Sequence, residues 1–99
     1  MSEIDVKRKF LPTTVQDIAS RKFKTAHGIV TGKVTEVHNE ADGDVHLRLV
    51  SGQVFIICEI IPELPRPVPK VGATIQVWGI VRYDLEHMWG EIHPLIGWK

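Results

Sequence analysis

Ile29-Val30-Thr31-Gly32-Lys33-Val34-Thr35-Glu36-Val37-His38 is a run dominated by β-branched residues and interrupted by one glycine. Branched side chains lose χ1 freedom in a helix and pack well on a pleated surface, so the run predicts one long strand. Gly32 in its middle predicts a bulge or a sharp bend, because a backbone without a Cβ curls most easily there. Immediately downstream, Asn39-Glu40-Ala41-Asp42-Gly43 reads as a turn, with Asp42-Gly43 a strong hairpin signal. Val45-His46-Leu47-Arg48-Leu49 then alternates, which turns Val45, Leu47 and Leu49 inward and His46 and Arg48 outward. Ser51-Gly52 is the next tight turn, and Gln53 to Ile61 is a strand with apolar residues on both faces.

The segment Pro62-Glu63-Leu64-Pro65-Arg66-Pro67-Val68-Pro69 carries four prolines in eight residues, which excludes a helix and a central strand. It predicts an extended crossover. Its P-x-x-P spacing with an arginine also matches peptides taken by SH3 domains, although a rigid connector is the reading that suits its place. Ala73 to Tyr83 alternates again, Asp84 to Met88 is a loop, and Trp89 to Leu95 is the last strand. Five strands in this order predict an all-β, five-stranded Greek-key barrel of the OB-fold type, with an SH3-like barrel as the alternative. Closure removes the edges and the uncovered apolar face that an open sheet of this length would leave.

Upstream, Thr13 and Thr14 stand at capping-box spacing from Gln16 and Asp17, and Val15, Ile18 and Ala19 fall on one helical face. A short helix over about 14–22 follows, with Arg21, Lys22 and Lys24 near its end suiting the helix dipole. Residues 1–12 read as a flexible arm bearing the basic cluster Lys7-Arg8-Lys9, with Phe10-Leu11-Pro12 able to dock. Residues 13–99 then form the single domain.

The chain has 99 residues, with 12 Lys and Arg against 12 Asp and Glu. That size excludes a two-domain enzyme, and zero formal charge excludes a generally basic nucleic-acid coat. Cys58 is the single cysteine, so neither an intrachain disulfide nor a cysteine-built zinc site is available. No apolar run reaches the length of a membrane span and no signal-peptide pattern follows Met1, so a cytoplasmic protein without membrane association is expected.

Val71-Gly72-Ala73-Thr74-Ile75-Gln76-Val77-Trp78-Gly79 resembles the fourth strand of many OB-folds. The pair Asp42-Gly43-Asp44-Val45-His46 and His87-Met88-Trp89-Gly90-Glu91-Ile92-His93-Pro94 resembles small uncharacterised prokaryotic OB-like domains with a "DGDxH" turn and an "HxWxEIHP" ending. More weakly, the Asp42-Gly43-Asp44 turn is similar to that of thermonuclease-family OB-folds. That resemblance implies a metal-binding role for Asp44. Gln53 to Ile61 lacks the arginine those nucleases carry, and Glu59 is only a loose match for their acidic partner.

Three function classes remain open. A binding module for single-stranded nucleic acid would use exposed rings and cations on the second and third strands and the loop before the last: Lys33, Arg48, Phe55, Arg82, Tyr83 and Trp89. A divalent-metal site at Asp44, His46, Glu91 and His93 is the rival. It would allow phosphodiesterase or nuclease-like chemistry, since two imidazoles and two carboxylates suit a transition metal. Glu91 is expected to pair instead with Arg48 or Lys33 where no metal binds. The third class is an oligomerising or adaptor domain, with Phe55 and Ile57 forming a homodimer contact. No nucleophile–base pair can be named, so no catalytic residue and no cofactor is assigned and a non-enzymatic module is expected.

Overall fold

A computed structural model describes residues 9–99. The elements are β1 (Leu11–Pro12), α1 (Val15–Ala19), β2 (His27–Asn39), β3 (Val45–Ser51), β4 (Val54–Ile60), β5 (Thr74–Asp84) and β6 (Trp89–Trp98). β2 to β6 form the closed five-stranded barrel of the OB-fold. The order is β2-β3-β4-β6-β5, and β5 returns to pair with β2. β4 and β6 run parallel, a pairing that a stack of antiparallel hairpins lacks. This topology, and not the SH3-like alternative, is what the crossover between β4 and β5 produces.

β2 serves both edges of the closure. Residues 27–33 pair with β5, and Lys33 to Asn39 pair with β3. Gly32 lies at this changeover, where a Cβ would come within 2.7 Å of Leu49 Cγ. The irregularity in pairing falls slightly later: Val34 opposes Leu49 and Glu36 opposes Arg48, leaving Thr35 as the extra residue. Alternation then fills the barrel with Val30, Val34, Leu47, Leu49, Ile56 and Val77, all at most 1% exposed.

The two ends of the barrel are closed differently. α1 covers the end at the β3–β4 hairpin, inserting fully buried Val15 and Ile18. Thr14 is its N-cap and accepts a bond from the Asp17 amide at 3.0 Å. The helix is shorter than the expected 14–22. Ser20 caps it and Arg21 has φ 64°, a left-handed conformation that breaks the helical path. The basic residues therefore lie beyond the helix and do not serve its dipole. At the other end the proline crossover packs Leu64 and Val68 on the core, and Arg66 Nη1 donates to its own Leu64 carbonyl at 2.8 Å.

Of the expected arm, residues 1–8 lie outside the described residues. Phe10 is buried at 7% exposure, and Leu11–Pro12 pairs parallel with Gly28 and Ile29, so this part is held on the barrel. β6 runs on past the expected end at Leu95 to Trp98. Among the described residues, no helix is long and apolar enough to cross a membrane.

Candidate nucleic-acid interface

The Gly52-Gln53 turn sets Ser51 opposite Val54 and thereby fixes every rung of the β3–β4 pair. Val50 opposes Phe55, Arg48 opposes Ile57, and His46 opposes Glu59. β6 extends these rungs by pairing Glu91 with Ile57. Strand alternation turns Val50, Phe55, Arg48, Ile57, His46, Glu59 and Glu91 to the outer face, while Val54 packs toward the core.

The rung nearest α1 is aromatic. Phe55 meets Trp89 edge to face, with centroids 6.3 Å apart and rings inclined at 70°. His87 stacks on Trp89 at 4.7 Å and 8°. Arg48 reaches across from the next rung and places its guanidinium carbon 4.4 Å from the Phe55 centroid. The result is a continuous row, Arg48–Phe55–Trp89–His87, beside a shallow cleft of about 380 Å³ that reaches Glu36 and His46.

The middle rung alternates in charge. Arg48 Nε lies 3.5 Å from Glu36, and Arg82 Nε lies 2.9 Å from Glu91. Glu91 is 6% exposed, and its second oxygen accepts from the Trp89 indole at 2.8 Å. Its partners are thus Arg82 and Trp89, with His93 Nδ1 3.6 Å from Oε1, and not the expected Arg48 or Lys33. This buried carboxylate fixes the indole and so the tilt of the aromatic row.

The last rung, toward the proline crossover, is polar. Glu59 Oε2 lies 3.5 Å from His46 Nε2 and 3.0 Å from His93 Nδ1. Burial pushes the Glu59 carboxyl above the usual carboxylate range, and the neighbouring imidazoles offset this only in part. Cys58 faces the core, where burial and then Glu91 push its thiol far up, so it is an inert core residue.

Of the six residues expected to touch nucleic acid, Arg48, Phe55 and Trp89 are in contact and Arg82 joins them through Glu91. Lys33 is exposed on the rung of Val50 and Phe55, at the outer margin. Tyr83 does not join this face. It has the parity of buried Val81, and at the α1 end Arg21 covers its ring at 4.0 Å. The four expected metal ligands fall into a chain: Asp44 and His46 converge on Glu59, and His93 Nδ1 stands between Glu59 at 3.0 Å and Glu91 at 3.6 Å, with Glu91 also engaged by Arg82 and Trp89. The expected nucleic-acid contacts omit His87, and the expected metal set omits Glu59. The Gly52-Gln53 turn already pairs Glu59 with His46, so that signal was present.

His87 is anchored by the loop it belongs to. Its Nδ1 lies 2.7 Å from Asp84 Oδ2, while Asp84 Oδ1 accepts the Glu86 amide at 2.9 Å. The hydrogen bond with Asp84 raises the imidazole above its ordinary 6.5, and the same bond holds the Asp84 carboxyl below its ordinary 3.8. The His87 contribution to stability is complete below pH 6.5 and is lost as pH rises through its raised value. The Asp84 contribution is present above pH 3.8 and is lost as pH falls through its depressed value. The pair therefore favours the folded loop most between those values. Proton NMR should find the His87 midpoint above 6.5, and Asp84→Asn should return it toward 6.5.

No protein-family model matches the chain, and no curated protein matches it in sequence. Among solved structures, the fold is similar to part of an asparaginyl-tRNA synthetase from Entamoeba histolytica, with a TM-score of 0.70 over 91% of this chain. The two are 12% identical and the match spans 23% of the synthetase, so the likeness is one of fold.

Proposed function

We propose that this chain is a non-enzymatic module that binds single-stranded nucleic acid across the outer face of β3, β4 and β6. The contiguous row Arg48–Phe55–Trp89–His87 carries the reading. Every base has a π-face, so rings with a guanidinium beside them accept a strand with little regard to sequence. The row lies on the face and beside the loop that barrels of this type use for oligonucleotides. The fold match to part of a protein whose name places it with tRNA adds support of the same kind.

The electrostatics predict modest affinity. Arg48 and Arg82 are already paired with Glu36 and Glu91, so a phosphate must compete with a carboxylate for each. With Lys33 as the third cation, the slope of log K against log salt should be about −2 or shallower. Titrating tryptophan fluorescence with short single-stranded oligonucleotides at low salt tests both points. Phe55→Ala should weaken binding about tenfold, within the 1–3 kcal/mol assigned to one stacked base. Absence of quenching by the unaltered protein at tens of micromolar, or undiminished affinity of Phe55→Ala, contradicts the proposal.

A further inference from the structure

Asp44, His46 and Glu59 meet at the crossover end of the outer face, roughly 13 Å along β4 from Phe55. Each offers one ligand atom, and these atoms lie within 4.8 Å of one another. We propose that these three side chains hold a first-row divalent cation, Zn²⁺ best fitting the donor set, and that His93 orients the Glu59 carboxylate toward it. The proposal is independent of the nucleic-acid reading.

One pair of ligand atoms already has the spacing of an occupied site. Ligand atoms about 2.0–2.1 Å from a tetrahedral Zn²⁺ are roughly 3.4 Å from one another. Glu59 Oε2 and His46 Nε2 are 3.5 Å apart. His46 has a carboxylate on each side of its ring. Its Nδ1 lies 3.4 Å from Glu40 Oε1, so that with the ring proton on Nδ1 the Nε2 lone pair is free to ligate beside Glu59. A carboxylate behind a ligating imidazole is the usual support of such sites. His93 Nδ1 approaches the same Glu59 oxygen at 3.0 Å.

Charge supplies the need. Asp44 lies within hydrogen-bonding reach of Glu59, and adjacent carboxylates repel unless a proton or a cation stands between them. One imidazole with two carboxylates is a borderline donor set, whereas Ca²⁺ and Mg²⁺ favour oxygen cages. All three residues are half-buried, which leaves a coordination position open to water. Asp84, Glu86 and His87 also cluster, but there His87 Nδ1 and both Asp84 oxygens are engaged within the loop.

The test uses tag-free protein stripped of metal with a chelator. Titration with Co²⁺ should give a saturable visible absorption band, and excess Zn²⁺ should raise the melting temperature by roughly 5–10 °C. His46→Gln and Glu59→Gln, with native circular dichroism, should abolish the band; His87→Gln should leave it intact. Should either strand variant fail to fold, Asp44→Asn at the turn carries the same expectation. His93→Asn should weaken Co²⁺ binding about tenfold or more. Neither a band nor a melting shift in the unaltered protein overturns the site. So does a band that survives the folded ligand variants or disappears with His87→Gln. Unchanged affinity in His93→Asn overturns the orienting role.

Discussion

Gly79→Ala should lower the melting temperature by roughly 15 °C, a loss of about 3 kcal/mol. Gly79 sits on β5 where the strand is squeezed between β2 and β6: it opposes Gly28 on one side and Leu95 on the other. A Cβ there would stand 2.6 Å from Ile92 Cγ2 and 3.0 Å from Leu95 Cα, and against the Pro94 carbonyl oxygen. Two of those three atoms are backbone, so no rotamer change relieves the clash. The β5–β6 register is irregular on both sides of this residue, so β6 bends around it. Gly72→Ala is the control. It has φ +97° with nothing within 4 Å, so its cost is dihedral alone, about 1–2 kcal/mol. Thermal melts of the two variants separate close packing from backbone conformation, and an equal loss in both would contradict the packing account.

Ile18→Ala should cost a comparable amount, about 3 kcal/mol. Ile18 is fully buried although it belongs to a helix of only five residues, too short to persist without tertiary support. It lies directly on β6, where a Cβ on Gly90 would come within 2.6 Å of the Ile18 carbonyl oxygen and 2.7 Å of its Cγ2. Truncation would leave a cavity over the barrel mouth and weaken the hold on α1. Chemical denaturation measures the loss. Hydrogen exchange should show the α1 amides opening well before those of β3 and β4, and unchanged stability would mean that α1 is not a plug.

How much of this was legible in the sequence follows from where its information is local. Alternation in β3 gave its inward and outward residues correctly, because period two is read directly from apolar spacing. The Asp42-Gly43 and Gly52-Gln53 turns carried the hairpin registers. The bend at Gly32 was legible, but the extra residue at Thr35 was not, since a bulge exists only relative to its partner strand. The helix end was missed because Arg21 takes a left-handed conformation while its guanidinium lies over Tyr83, a contact between distant segments.

The candidate surface was legible to a similar depth. Arg48, Phe55 and Trp89 came from strand parity, and they do meet. Tyr83 was misplaced because it was grouped with Trp89 as a residue flanking the loop, whereas its place in the alternating strand gives it the parity of the core position Val81. Glu91 read as a metal ligand or as a partner of Arg48 or Lys33. Its engagement follows from β6 lying between β4 and β5, a consequence of the long crossover that no local pattern reveals.

The most direct measurement is the indole N–H spectrum of the three tryptophans during addition of a short single-stranded oligonucleotide. Trp89 donates its indole proton to Glu91 within the aromatic row, whereas Trp78 and Trp98 lie together near Pro65 and Pro67. Binding on the β3–β4–β6 face should move the Trp89 resonance progressively and leave the other two nearly still. Movement of Trp78 and Trp98 with Trp89 unmoved, or no movement of any of them, would contradict the account.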